Sequence, residues 1–300
     1  MSALTGTRML DPLVISRLEN LELIARQVVE GFITGLHRSP YHGFSVEFTD
    51  HRPYMPGDER KNIDWKLFAK TDRYYIKQFE EETNLKACIL IDTSRSMAFS
   101  REGTLGKDRY AAMLAASLSY LLLRQRDGVG MALYSDRLHE YVAPRARMSQ
   151  LGLLISKLEA MECGGLTSPL PVYRELAERI RRRGLIVVLS DLLTAPEDTI
   201  RSLKYFAHRK HEVIVFHILD PGELGLPGGG EILFRDMETG ETLQTHAWQV
   251  KEEYDREVAA MVANLRSRCR ESLIDYQLVS TATPFDRALY AFLEKRRRLG

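Results

Sequence analysis

The chain has 300 residues, 44% of them hydrophobic and 28% charged, with a formal net charge of +1. This composition excludes extensive disorder, and the near-neutral charge excludes the broad basic field that drives nucleic-acid binding. Cys88, Cys163 and Cys269 lie far apart with no CxxC pair, which excludes a disulfide framework and a thiolate zinc site and fits a reducing, cytoplasmic setting.

In chain order, Asp11-Pro12 opens a helix, with Asp as N-cap and Pro at the first helical position. Val14, Leu18, Leu21, Ala25, Val28 and Phe32 then recur on one helical face. Residues 37–73 are rich in Pro, Gly and charge and read as short strands and turns around a few aromatics. Strands follow over 74–81 and 85–91, then a helix over 109–125 that is apolar almost all round. The Asp127-Gly128 turn leads to a strand over 131–134, and helices follow over 148–161 and from Ser168-Pro169 to about 183. The run 185–189 is leucine and β-branched throughout, as a central parallel strand requires. A helix over 196–209 and a strand over 213–219 precede the glycines at 228–230. A hairpin between 232 and 245, a helix over 248–272, a strand over 276–280 and a helix after Thr283-Pro284 complete the chain.

Strands alternating with helices predict an α/β fold: a mostly parallel sheet with helices on both faces. Residues 1–83 form a small N-terminal helix and β-rich segment, and 84–300 the main domain, with the hairpin inserted near 228–246. The longest strongly apolar stretch, 113–123, is too short to span a bilayer, and no leader pattern opens the chain.

The first central strand ends in CILIDTSRSM, which places Asp92 at its carboxyl end and Ser94 and Ser96 on the loop beyond. Ligands bind at that end of an open α/β sheet. Thr167 follows Gly164-Gly165-Leu166 ahead of a helix, and Asp191 follows the strand over 185–189, so both reach the same rim. Two carboxylates and three hydroxyls are hard oxygen donors, suited to Mg²⁺, Mn²⁺ or Ca²⁺ rather than zinc.

DTSRS resembles the DxSxS motif of the metal-ion-dependent adhesion site in von Willebrand factor A (vWA) domains. Thr167 and Asp191 match that site's second-loop threonine and third-loop aspartate, and residues from about 84 to 283 look like a vWA-like, Rossmann-like fold. The resemblance implies a divalent ion whose open position receives a carboxylate from another protein. Upstream, EFTDHRPYMPGDERKNIDWKLFAKTDRYYIKQFEEE resembles the signature of the bacterial domain-of-unknown-function family fifty-eight. The positions that carry it are Glu47, Arg52, Tyr54, Gly57, Asp58, Arg60, Asp64, Trp65 and Lys77. Members often accompany MoxR-type AAA+ ATPases, which implies such an ATPase as partner.

The function implied is a metal-dependent protein–protein interaction module rather than an enzyme. One alternative is a metal-assisted hydrolase with Asp58 or Asp64 as general base, although no nucleophile–base pair or second-metal carboxylate cluster is visible. The other is a nucleic-acid binder. Its basic runs, Arg179 to Arg183 and Lys295 to Arg298, sit at helix C-termini, where cations complement the helix dipole. Arg52, Asp58, Arg60, Asp64 and Trp65 read first as an ion-pair and aromatic plug holding the small segment together, and otherwise as a docking surface or catalytic cluster.

Overall fold

A computed structural model describes residues 11–16, 20–38, 52–54, 65–76, 85–101, 103–237 and 240–297. The expected first helix is two pieces, each with its own cap. Asp11 Oδ1 accepts the Leu13 N–H over the single turn Pro12–Ile15 (2.9 Å). Asn20 Oδ1 accepts the N–H groups of Glu22 (2.8 Å) and Leu23 (3.1 Å) to start α1, Leu21–Arg38. Leu21, Ala25, Val28 and Phe32 are buried, as their spacing predicts.

The chain divides into two compact units, one of Met1–Phe32 and Leu85–Gly300, the other of Ile33–Asn84. Against the expected division into 1–83 and 84–300, residues up to Phe32 fall with the larger unit. In the smaller unit, β1 (Arg52–Pro53) pairs antiparallel with β2 (Tyr75–Ile76). Between them lies α2, Trp65–Thr71, a helix where only strands and turns were expected. Phe68 stacks on Tyr74 at 4.5 Å, with Trp65 edge-on to both rings.

The larger unit alternates as its hydrophobic pattern dictates. Its elements are β3 (Lys86–Asp92), α3 (Lys107–Arg124), β4 (Gly128–Tyr134), β5 (Leu138–Arg145), α4 (Ser149–Glu159), α5 (Pro169–Arg179), β6 (Leu185–Ser190), α6 (Pro196–His208) and β7 (Glu212–Leu219). A single turn, Pro221–Leu224, and the hairpin β8 (Glu231–Arg235) and β9 (Thr242–His246) come next. The chain closes with α7 (Ala247–Glu271), β10 (Asp275–Ser280) and α8 (Phe285–Arg297).

Six strands form one sheet in the order β10-β7-β6-β3-β4-β5. Only β5 runs antiparallel, on the edge. The chain starts at a central strand and fills the sheet outward on both sides, the doubly wound, vWA-like arrangement that the resemblance implies. Cys88 and Leu90 of β3 point into a core with Val172 and Leu176 of α5, Leu203 and Phe206 of α6 and Leu265 of α7. Ile89 and Ile91 alternate to the other face. Helix α3 covers that face, buried from Tyr110 to Leu123. Strand β5 escaped the sequence reading: only Val142 of its eight residues is buried, so its apolar signal is weak.

Gly130 shows how tightly that edge is closed. A β-carbon there would meet Val142 O at 2.4 Å and Pro144 N at 2.6 Å, both backbone atoms. Gly130→Ala is therefore expected to cost about 2–3 kcal/mol, read as a lowered urea midpoint; Gly152→Ala, on an exposed helical surface with nothing within 4 Å, is the control and leaves the midpoint level or raised. Among the described residues no helix is long and apolar enough to cross a membrane.

Candidate metal centre

The order of strands decides where the site lies. From β3 the chain winds one way across the sheet and from β6 it winds the other, so a crevice opens at their carboxyl ends. Asp92 ends β3, and Asp191 follows β6. Both are fully buried.

Asp92 is held at both oxygens. Oδ1 accepts the Ser94 N–H (2.8 Å) and Oδ2 the Ser190 hydroxyl (2.7 Å). Ser94 and Ser96, also buried, bring their hydroxyls to 3.1 Å of each other at the start of the 3₁₀ turn Arg95–Ala98. The loop before α5 is stitched to this one: Gly164 N–H donates to Thr93 O (2.8 Å) and Arg95 N–H to Gly165 O (3.2 Å). Gly165 takes φ +78°, where a side chain would be strained and its Cβ would press on Ser135 Oγ at 3.2 Å. That turn delivers Thr167 to a small cavity shared with Asp92, Tyr134, Tyr173 and Ser190. The structure thus brings Asp92, Ser94 and Ser96 together, with Thr167 on the cavity beside Asp92 and Asp191 at the adjoining strand end.

Three residues that the sequence reading missed complete the surroundings. Ser190 buttresses Asp92. Lys107, with no exposed side-chain surface, places Nζ 2.8 Å from Asp191 Oδ2 and 2.6 Å from Glu223 Oε1. Glu223, in the turn Pro221–Leu224, also caps that turn by accepting the Asp220 N–H (2.8 Å). Lys107 opens α3, where the helix dipole disfavours a cation.

Burial pulls the Lys107 ammonium down, but the charges of Asp191 and Glu223 outweigh it and hold Lys107 protonated, above its ordinary range. Burial, reinforced by the Asp191 charge, pushes the Asp92 carboxyl up to about 7 despite its bonds from Ser190 and Ser94. His217, on β7 opposite Ser190, is pushed down to about 4 by burial and stays neutral. Asp191 and Glu223 share the Lys107 ammonium, while Asp92 is held by Ser94 and Ser190, so three carboxyl groups gather here with one cationic side chain engaged among them.

A divalent cation suits that gathering of carboxyl groups, and the donors are carboxylate and hydroxyl oxygens. Among the described residues no group of three or more His, Cys, Asp or Glu side chains is placed to hold a metal, so any ion here depends on the serine and threonine hydroxyls. The residues fit a hard, oxygen-loving ion, with one difference from the sequence reading: an oxygen of Asp191 already engages Lys107.

The upstream positions are less fully described. Trp65 is 58% exposed and Tyr54 donates its backbone N–H to Tyr74 O (2.9 Å). For Arg52 only the backbone pairing with Ile76 is described. Glu47, Gly57, Asp58, Arg60, Asp64 and Lys77 lie outside the described residues, and with them the general bases of the hydrolase reading.

A family model described as "Protein of unknown function DUF58" matches residues 50–264. The uncharacterized protein Rv1480 of Mycobacterium tuberculosis is 28% identical over 237 residues, 77% of this chain and 73% of the relative. The uncharacterized protein MAV169 of Mycobacterium avium is 31% identical over 139 residues, 44% of this chain and 81% of its own. Among solved structures, BatB from Bacteroides thetaiotaomicron aligns at 16% identity with a TM-score of 0.46, covering 71% of this chain and 99% of that one. The SpRpn10 VWA domain aligns at 12% identity with a TM-score of 0.40, over 69% and 94%.

Proposed function

The chain belongs to the DUF58 family of proteins of unknown function, and we propose that it is a metal-dependent protein-interaction module. Ser94, Ser96 and Thr167 hold a divalent ion, Mg²⁺ by preference or Mn²⁺ or Ca²⁺, with Asp92 and Asp191 as its acidic backing. The observation that carries this reading is the buried, acidic cluster at the switch point of the sheet, where two serine hydroxyls stand 3.1 Å apart beside a carboxylate that burial and repulsion push up to about 7.

The chain's own residues supply the rigidity. Ser190 and the Ser94 N–H fix Asp92, the Gly164–Gly165 turn fixes Thr167, and Lys107 fixes Asp191 while removing part of the negative charge. An ion held there would present a Lewis-acid position to a carboxylate of another protein. The resemblance to families that accompany MoxR-type AAA+ ATPases supports such an ATPase, or a client it remodels, as the partner.

Calorimetric titration of Mg²⁺ and Mn²⁺ into chelator-treated protein tests the reading. Saturable binding is expected in the wild type, weakened at least about tenfold in Ser94→Ala/Ser96→Ala with an unchanged melting curve. Equal affinity in the two proteins would remove the site.

A further inference from the structure

The edge of the main sheet opposite the candidate centre, where the parallel strands begin, is built from helix-to-strand corners. Three of these corners share one hydrogen-bond pattern. At the end of α7, Ile274 N–H donates to Cys269 O (2.9 Å) and Leu273 N–H to Arg270 O (3.1 Å). At the end of α6, His211 N–H donates to Phe206 O and Lys210 N–H to Ala207 O; at the end of α3, Asp127 N–H donates to Leu122 O and Arg126 N–H to Leu123 O. This pattern holds one residue in the left-handed region, a position that suits glycine or asparagine. Here it holds Leu273 (φ 58°), Lys210 (φ 62°) and Arg126 (φ 62°). Ile274 turns into the core, which leaves Leu273 outside at 86% exposure, the highest of the large hydrophobic residues described.

Strand order sets the corners beside one another. β10, β7 and β6 are neighbours in register, with Asp275 opposite Ile214 and Leu185 opposite Glu212. Their leading corners, 270–275, 209–212 and 180–184, therefore stand in a row about 10 Å across. The row carries six exposed basic side chains, Arg181, Arg182, Arg183, Arg209, Lys210 and Arg270. Its acids are three, Glu212, Glu271 and Asp275, which leaves the row three positive charges in excess. Glu212 is engaged by Arg183 (3.1 Å), and Glu271 accepts the Ser267 hydroxyl (3.1 Å).

Cations in the last turn of a helix complement its dipole, and that accounts for Arg270. It does not account for Arg181, Arg182 and Arg183, which lie beyond the end of α5, nor for a leucine held in water beside them. A nucleic acid would use the charge but gain nothing from Leu273, and no Phe, Tyr or Trp stands in these corners to stack on a base. An anionic bilayer uses both features, the basic side chains at its headgroups and the leucine at the acyl boundary. We infer that this edge docks on the surface of an anionic phospholipid bilayer, with Leu273 inserted and the arginines of the row around it. Docked so, the molecule turns the rim that carries Asp92 and Asp191 away from the lipid. The inference is independent of the metal-dependent reading, since neither the row nor the leucine involves an ion.

The test is co-sedimentation of the full chain, in chelator, with phosphatidylcholine vesicles containing about one-third phosphatidylglycerol, against vesicles of phosphatidylcholine alone. Binding is expected to the anionic vesicles only, and to weaken as salt rises. The partition coefficient is expected to fall at least about tenfold in Arg181→Glu/Arg182→Glu and at least about fivefold in Leu273→Asn. Asparagine suits the left-handed turn better than leucine, so the melting temperature of Leu273→Asn is expected level or raised, which separates lost docking from lost folding. Leu243→Asn, at a 64% exposed position on the β8–β9 hairpin, should bind as the wild type does. Equal binding to both kinds of vesicle, no binding to either, or equal binding by Leu273→Asn and the wild type would overturn the inference. So would tighter binding to duplex DNA than to the anionic vesicles at the same salt, unchanged by Leu273→Asn, which would assign the basic row to nucleic acid.

Discussion

Replacing Lys107 by methionine is expected to cost the metal-free protein about 3–5 kcal/mol of stability. The substitution keeps the aliphatic volume and removes the ammonium from Asp191, fully buried, and from Glu223, four-fifths buried. Breaking a buried pair leaves its partners desolvated and unpaired, which costs far more than a surface ion pair returns. Urea unfolding in chelator reads the loss. Mg²⁺ at about a hundred times its Kd should return about 2.7 kcal/mol to this variant if the ion binds only the folded state. Lys107→Met/Glu223→Gln, which removes one of the stranded charges, should recover part of the loss without metal. A loss below about 1 kcal/mol would mean that water reaches Lys107 and that it has no structural part in the site.

Asp92→Asn is expected to change how stability depends on pH. The folded carboxyl titrates at about 7 against an ordinary 3.8, so between those values the native state holds a proton that the unfolded chain has lost. Wild-type stability, measured in chelator, therefore falls as pH rises from about 4 to 7 and levels off above. Asparagine cannot ionise and removes that slope. Near pH 4 the two proteins should match to within the roughly 1 kcal/mol of a lost acceptor. At pH 8 the variant should be the more stable by up to about 4 kcal/mol, the equivalent of the Asp92 displacement. A divalent ion should offset the cost in the wild type above about pH 7 and add no stability near pH 4, where the carboxyl is protonated. Parallel urea-midpoint curves for the two proteins across that range in chelator would contradict this.

The inner strands of the main sheet were legible because they are buried on both faces: the continuous run from Leu185 to Leu189 and the run ending at Asp92 carry their assignment in composition alone. The carboxyl-end rule then placed Asp92, Ser94, Ser96, Thr167 and Asp191 on one rim without coordinates. Edge elements were harder to see. Strand β5 alternates weakly because one of its faces meets water, and α2 hides in a segment rich in proline and charge. Lys107, Ser190 and Glu223 act through contacts 84 to 116 residues apart in sequence, or across two strand ends, which no local pattern encodes. The break between the single turn at Pro12–Ile15 and α1 was missed for a local reason: the apolar spacing runs through it, and only the Asn20 cap marks the restart.

The most direct test of the metal centre is an anomalous difference map from crystals soaked in Mn²⁺ after chelator treatment. The expected result is one strong peak within coordination distance of Ser94 Oγ and Ser96 Oγ, with Thr167 and the carboxylates of Asp92 and Asp191 around it. A map with no peak there, while Lys107 Nζ still bridges Asp191 and Glu223, would contradict it and would identify the lysine as the site's resident cation.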